Sequence, residues 1–173
     1  MSVIRLTPTS YVVLGLVEQL GTATSYDLKQ MAALGVGNFW SLPHTQLYSE
    51  PARLADAGYL AEERERKGRR RRLYSLTKKG REALDEWRSE PTADLYEIHD
   101  AGLLRLYFGA DPKKLADVQL EAHRENLRRF EELEPATRMA GVPEGVRLAL
   151  LAGIGHAREY VRFWTKVRDG ASR

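Results

Sequence analysis

Between Thr7 and Gly58 helix-starting and helix-stopping residues recur so often that only short helices fit. Thr7 can cap a helix whose first position is Pro8, where a missing N–H costs nothing. Tyr11, Leu14, Val17 and Leu20 carry that helix, and Gly21 ends it. Thr24 or Ser25 caps a second helix, through Leu28, Met31 and Ala32, which stops at Gly35. After a loop holding Phe39 and Trp40, Ser41 is expected to cap a third helix, with Pro43 just inside its start. Leu47, Leu54 and Ala57 should point inward from it, and Gly58 should close it. Pro51 falls within this helix and removes an N–H, a loss of ~3 kcal/mol that should kink the helix or end it early. Leu54, Ala55 and Ala57 nevertheless continue the helical period beyond it.

Past Gly58 the period changes. Tyr59–Glu65 and Arg71–Leu76 read as strands: Leu60 supports the inner face of one, while Tyr74 and Leu76, two apart, share a face of the other. Lys67-Gly68 between them suits a hairpin tip, because glycine tolerates positive φ. Thr77 then caps a helix presenting Ala83, Leu84 and Trp87 as far as Ser89. Three short helices, a two-stranded hairpin and a helix make the winged-helix arrangement of the helix-turn-helix class.

Ser89-Glu90-Pro91-Thr92 ends that pattern and marks a boundary, giving an N-terminal domain over 1–88 and a helical one over 92–173. The second is expected to hold a helical segment from Asp94 to Phe108, with Leu95, Ile98, Leu103 and Leu106 apolar. A long helix from Asp111-Pro112 to Glu134 follows, striped by Leu115, Val118, Ala122, Phe130 and Leu133. A last helix carries Val146, Leu150, Ile154, Ala157, Val161 and Trp164 at helical spacing. Such stripes cover one another only partly within so short a segment. Leu150, Ile154, Ala157, Val161 and Trp164 are therefore expected to meet a second copy of the chain. The expected fold class is mainly α: a winged helix-turn-helix domain plus an α-helical dimerisation domain.

Charge then points to a partner. The 173 residues carry a formal net charge of +3, and all of the excess lies before Pro91. It concentrates at the hairpin in Arg66, Lys67, Arg69, Arg70, Arg71 and Arg72. If these arginines merely paired across the strands with Glu62, Glu63 and Glu65, they would be a solvated hairpin of little consequence. Surplus guanidinium on a protruding hairpin instead suits phosphate or minor-groove contact with double-stranded DNA. The third helix complements it. His44, Thr45, Gln46 and Ser49 are candidates for base edges or phosphates, Gln46 being suited to adenine. Tyr48 can offer its hydroxyl to a phosphate while its ring packs on the core, and Arg53 lies within reach of the backbone.

These residues carry a family resemblance. Leu6–Leu16, Ser25-Tyr26-Asp27-Leu28, Phe39-Trp40, Gln46-Leu47-Tyr48, Arg53-Leu54, Ala57-Gly58-Tyr59-Leu60 and Arg72–Gly80, in this order and spacing, resemble the PadR family of bacterial transcriptional regulators. The helical remainder, best at Leu103–Phe108, resembles the longer C-terminal region of the subfamily similar to virulence activators. The resemblance implies a homodimer with one winged helix per subunit on a palindromic operator, most often repressing a gene until a small molecule binds. It implies that the third helix reads the major groove and the hairpin lies over backbone or minor groove. Pro51 departs from the usual pattern, in which an apolar helix former follows the Tyr by three.

Other chemistries lack their residues. Cysteine is absent, which excludes disulfides and thiolate metal sites. His44, His99, His123 and His156 are scattered without ligand spacing, so neither a metal nor a cofactor is expected. Gly35-Val36-Gly37-Asn38 lacks a P-loop lysine, no Gly-x-Ser-x-Gly elbow occurs, and no enzyme is expected. No apolar run reaches a membrane span and no secretory leader is visible, so the chain reads as cytoplasmic. Trp87, Trp164, Tyr160, Phe163, Tyr107 and Phe108 are core or dimer packing, or else line an effector cleft whose residues the sequence does not name. The rival to DNA binding is a winged helix used for protein or RNA contact, which mild salt sensitivity and no duplex preference would favour.

Overall fold

A computed structural model of the chain describes residues 4–65, 70–139 and 141–170, with the His44 side chain left out. Helix α1 (Pro8–Leu20) begins where Thr7 and Ser10 bond each other's backbone N–H reciprocally, and ends at Gly21, whose φ of 72° is strained for any residue with a Cβ. A short strand β1 (Thr22–Ala23) precedes α2 (Ser25–Leu34), which Thr24 and Asp27 cap in the same reciprocal way. A 3-10 turn over Val36–Asn38 leads to α3 (His44–Asp56).

Two expectations for α3 are corrected. Ser41 is not its cap: the helix starts at His44, after Pro43, with no side-chain cap. A residue before proline is pushed out of the helical region, so Leu42 cannot be the first helical residue. Pro51 neither ends nor interrupts the helix, which runs on to Asp56. Its ring is fully buried, and that apolar burial offsets the missing bond to the preceding turn.

Strands β2 (Leu60–Arg64) and β3 (Arg72–Leu76) pair antiparallel, with Leu60 opposite Leu76 and Glu62 opposite Tyr74. β1 adds to the other edge of β3, giving the order β1-β3-β2. Helix α4 (Lys78–Ser89) follows from the Thr77 cap. A Cβ on its Gly80 would lie 2.1 Å from the Tyr59 carbonyl oxygen, so only glycine lets α4 approach the hairpin so closely. Val13, Leu14, Val17, Leu28, Leu47, Leu54, Leu60, Tyr74 and Leu84 form one buried cluster among these elements.

The chain divides into two compact units, Met1–Asp94 and Leu95–Arg173. In the second, α5 (Ala101–Tyr107) starts at the Asp100 cap, α6 (Pro112–Thr137) at Asp111, and α7 (Glu144–Arg168) after Pro143. The expected helix from Asp94 is therefore corrected to one from Ala101. Leu95 is 89 % exposed and Ile98 is also exposed, so neither apolar position is buried to hold the preceding segment as a helix.

α6 and α7 run antiparallel, with Ala116 and Leu120 meeting Trp164 and Val167 at one end and Phe130 meeting Ile154 and Ala157 at the other. Two further expectations change here. Val118 and Ala122 lie outside the seam and are exposed, because the α6 face toward α7 is Ala116, Leu120, Leu127 and Phe130. Ile154, Ala157 and Trp164, assigned to a second copy, are buried inside this hairpin, while Leu150 and Val161 are half-buried against it. Helices joined by a short turn cover each other's stripe first. Among the described residues no helix is long and apolar enough to cross a membrane.

Candidate nucleic-acid interface

Helix α3 has two unlike faces. Leu47, Glu50, Pro51 and Leu54 are buried, whereas Thr45, Gln46, Tyr48 and Ser49 are exposed together. Tyr48 is 49 % exposed, so its ring stands half out of the core rather than packed in it. The Ser49 hydroxyl donates to the Thr45 carbonyl at 3.2 Å. Gln46 is held from outside its helix: the Thr9 hydroxyl of α1 donates to Gln46 Oε1 at 2.9 Å. No side chain caps α3, and the Gln46 N–H of its first turn donates to the Pro43 carbonyl at 2.9 Å.

Beneath that face lies a polar lock that sequence reasoning missed. Glu50 is buried; the Ser10 hydroxyl donates to its Oε1 at 2.6 Å, and Arg53 donates to both carboxylate oxygens at 2.5 and 2.8 Å. Arg53 also donates to the Ser10 hydroxyl at 3.0 Å and the Arg5 carbonyl at 3.4 Å. Burial pushes the Glu50 carboxyl up, but hydrogen bonds from Arg53 and Ser10 and the adjacent guanidinium outweigh it and hold the group below its ordinary value. Arg53, expected within reach of the DNA backbone, has its donors shared among Glu50, the Ser10 hydroxyl and the Arg5 carbonyl, with its side chain still partly exposed. The spacing Glu50-x-x-Arg53 was a legible signal for an ion pair, but its partner Ser10 lies forty positions away.

The hairpin is less free than its composition suggests. Arg71 pairs with Glu65 at 3.2 Å and Arg72 with Glu62 at 3.4 Å, both across the strands. All four groups remain solvent-accessible, and pairs of this kind are weak enough to exchange partners. Arg70 has no ion-pair partner among the described residues. Arg66, Lys67 and Arg69, also expected at this surface, lie outside the described residues.

Residues 13–86 match the family model described as Transcriptional regulator PadR-like family. The likeness to this family lies in that span of the chain. That span covers α2, α3, the hairpin and most of α1 and α4, so the resemblance read from the sequence holds over the winged helix. The Negative transcriptional regulator PadR of Bacillus subtilis (strain 168) is 30 % identical over 102 residues, which are 57 % of this chain and 54 % of that protein. The chain thus matches about half the length of this curated relative. Three solved structures extend the likeness of fold beyond residues 13–86. Bacillus subtilis PadR in complex with operator DNA has a TM-score of 0.80 at 23 % identity, over 92 % of this chain and 96 % of that one. The same protein in complex with p-coumaric acid gives 0.75 at 22 %, over 95 % and 98 %. The Vibrio cholerae virulence activator AphA gives 0.69 at 22 %, over 94 % and 97 %.

Of the aromatic residues expected in packing or around an effector, Phe163 and Tyr160 pack on the cluster of the buried Trp164, while Tyr107 and Phe108 are exposed. Trp164 is core, and Trp87 stacks on Tyr11 at 4.8 Å between ring centres, beside an apolar groove with Phe39 and Trp40. A separate cleft of about 560 Å³ lies in residues 95–173, lined by Tyr160 with Tyr96, Asp100, Gln119, His123 and His156 among others. The His123 and Tyr160 rings stand 4.7 Å apart. Burial pushes the His123 imidazole below its ordinary value, against the opposing Asp100 charge. Burial, then the charge and hydrogen bonding of Asp100, pushes the Tyr160 phenol up. Among the described residues no group of three or more His, Asp or Glu can hold a metal.

Proposed function

We propose that this protein is a PadR-type transcriptional regulator that binds double-stranded DNA as a homodimer, acting as a repressor on a palindromic operator. The observation that carries this reading is the solvent-facing row Thr45, Gln46, Tyr48 and Ser49 on a helix locked from behind, followed in the same unit by an arginine-bearing hairpin. In this reading His44, Thr45, Gln46 and Ser49 meet base edges and Tyr48 a phosphate. Arg66, Lys67, Arg69, Arg70, Arg71 and Arg72 lie over backbone or minor groove. Arg53 acts indirectly, by holding Glu50. Two recognition helices in successive major grooves stand about 34 Å apart.

For the second copy we replace the buried α7 stripe with apolar side chains that the hairpin leaves outside. Leu104, Tyr107, Phe108, Val118 and Leu148 are more than half exposed, and water-facing side chains of this size favour a protein partner. The ligand of the related PadR is a flat aromatic acid, which supports placing a small aromatic effector in the cleft beside His123 and Tyr160. The chain works by binding rather than catalysis.

Salt dependence tests the claim. Binding to duplex DNA should weaken steeply as salt rises, and replacing Arg70, Arg71 and Arg72 together by Ala should reduce the log–log slope by about 2–3. An unchanged slope would remove the hairpin from the interface. The ion pairs Arg71–Glu65 and Arg72–Glu62 favour one rival, a winged helix for protein or RNA contact. Mild salt dependence with no preference for duplex DNA would establish that rival instead.

A further inference from the structure

We infer that Thr9 is a specificity-positioning residue: its hydroxyl bonds one lone pair of the Gln46 carbonyl oxygen and orients the amide, so that Gln46 meets a base edge chiefly as a hydrogen-bond donor. The inference rests on the proposal that α3 reads DNA.

The start of α1 is a rigid support. Thr9 stands between Pro8 at the first helical position and Ser10, whose hydroxyl closes the reciprocal cap with Thr7. Ser10 is itself bonded to Glu50 at 2.6 Å. Gln46 and Glu50 are one turn apart on α3, and Thr9 and Ser10 are adjacent on α1, so two neighbouring residues of one helix hold two stacked residues of the other. The support therefore cannot drift away from Gln46 without breaking the buried Ser10–Glu50 bond.

With its carbonyl turned to Thr9, the amide directs its NH₂ away from α1. A glutamine that reads adenine with both arms needs its oxygen free to accept from N6 and its nitrogen free to donate to N7. Thr9 takes one of that oxygen's two lone pairs and turns the oxygen toward α1, so presenting it to N6 as well bends or breaks the Thr9 bond. Guanine, by contrast, shows only acceptors, N7 and O6, at this edge and suits a donor. The adenine suggested by the side chain alone thus gives way to guanine once its neighbour is included.

The experiment is selection of bound duplexes from a random library with the full chain and three variants. Gln46→Ala first identifies the base pair that Gln46 reads, as the position whose preference flattens. At that position the wild type should favour guanine over adenine. Thr9→Val, nearly isosteric but without the hydroxyl, should shift the ratio about fivefold toward adenine, the worth of one net hydrogen bond. Thr9→Ser should keep the wild-type ratio, and preferences elsewhere and the salt slope should stay unchanged in both.

The inference is overturned if Thr9→Val leaves the ratio as it was, or if Gln46→Ala changes no position; a symmetric motif in either case would still support DNA recognition. A wild type that selects no motif defeats both readings. Thermal melting of Thr9→Val separates a folding defect from a change of preference. A variant that melts like the wild type and keeps its motif counts against Thr9.

Discussion

The two units hold themselves together by different means. In residues 1–94 three helices, a small sheet and a fourth helix surround one buried cluster, and a carboxylate–guanidinium–hydroxyl lock ties α1 to α3. In residues 95–173 two long helices share a seam divided into two small clusters. Much of the apolar surface there faces water: Tyr107 is 84 % exposed, Phe108 78 % and Val118 67 %. The buried Trp164 indole N–H finds no hydrogen-bond partner among the described residues. The first unit therefore has the economy of a self-contained domain, while the second leaves the apolar surface that the proposed dimer would cover.

The largest test breaks that contrast at its core. Leu54→Ala empties a fully buried site and should cost about 2–5 kcal/mol in unfolding of the first unit, read by denaturant titration. Leu104→Ala with Phe108→Ala, on exposed side chains, should leave the unfolding of the α6–α7 pair nearly unchanged yet shift the proposed dimer toward monomer in sedimentation equilibrium. Equal unfolding costs in both would erase the distinction.

A smaller effect follows from the lock. Glu50→Gln should destabilise the first unit by about 1–2 kcal/mol at pH 7, at the low end for a charged hydrogen-bonded group because Arg53 stays about a third exposed and screened. The folded carboxyl of Glu50 lies below its ordinary value. Its contribution is therefore present at neutral pH and is lost as pH falls through the folded value. Melting curves of the wild type should show this acid loss, and those of the variant should show less of it. The same substitution should weaken the proposed DNA binding by loosening α3.

The smallest effects sharpen the comparison at helix ends. Thr7→Ala removes the reciprocal cap of α1 and Asp111→Ala the bonds to Lys113 and Lys114 N–H that start α6; each should cost about 1 kcal/mol. Hydrogen exchange should register the first across the cooperative N-terminal unit. The second should appear mainly as fraying of the first turn of α6.

Local chemistry made much of the first unit legible. Thr7-Pro8, Thr24, Thr77 and the stops at Gly21 and Gly35 act within one turn of themselves, so their signals survive without knowledge of the rest of the chain. Strands β2 and β3 were visible for the same reason, whereas β1 is two residues long and exists only through its pairing with β3. The solvent face of α3 was readable from its small polar residues. The bonds of Arg53, on the same helix, were not readable because its partners Ser10 and Arg5 lie far away in the chain.

The amino-acid order alone thus determined where helices begin and end, where the period turns to that of a strand, and where positive charge gathers. All of these depend on neighbours within a few positions. Tertiary structure decided which apolar stripe α7 keeps for itself, how Pro51 is tolerated, and which polar side chains are spent on the fold rather than offered to a ligand. Those outcomes depend on what a distant segment presents at a given point in space, and pairing preferences along a chain do not encode that distance.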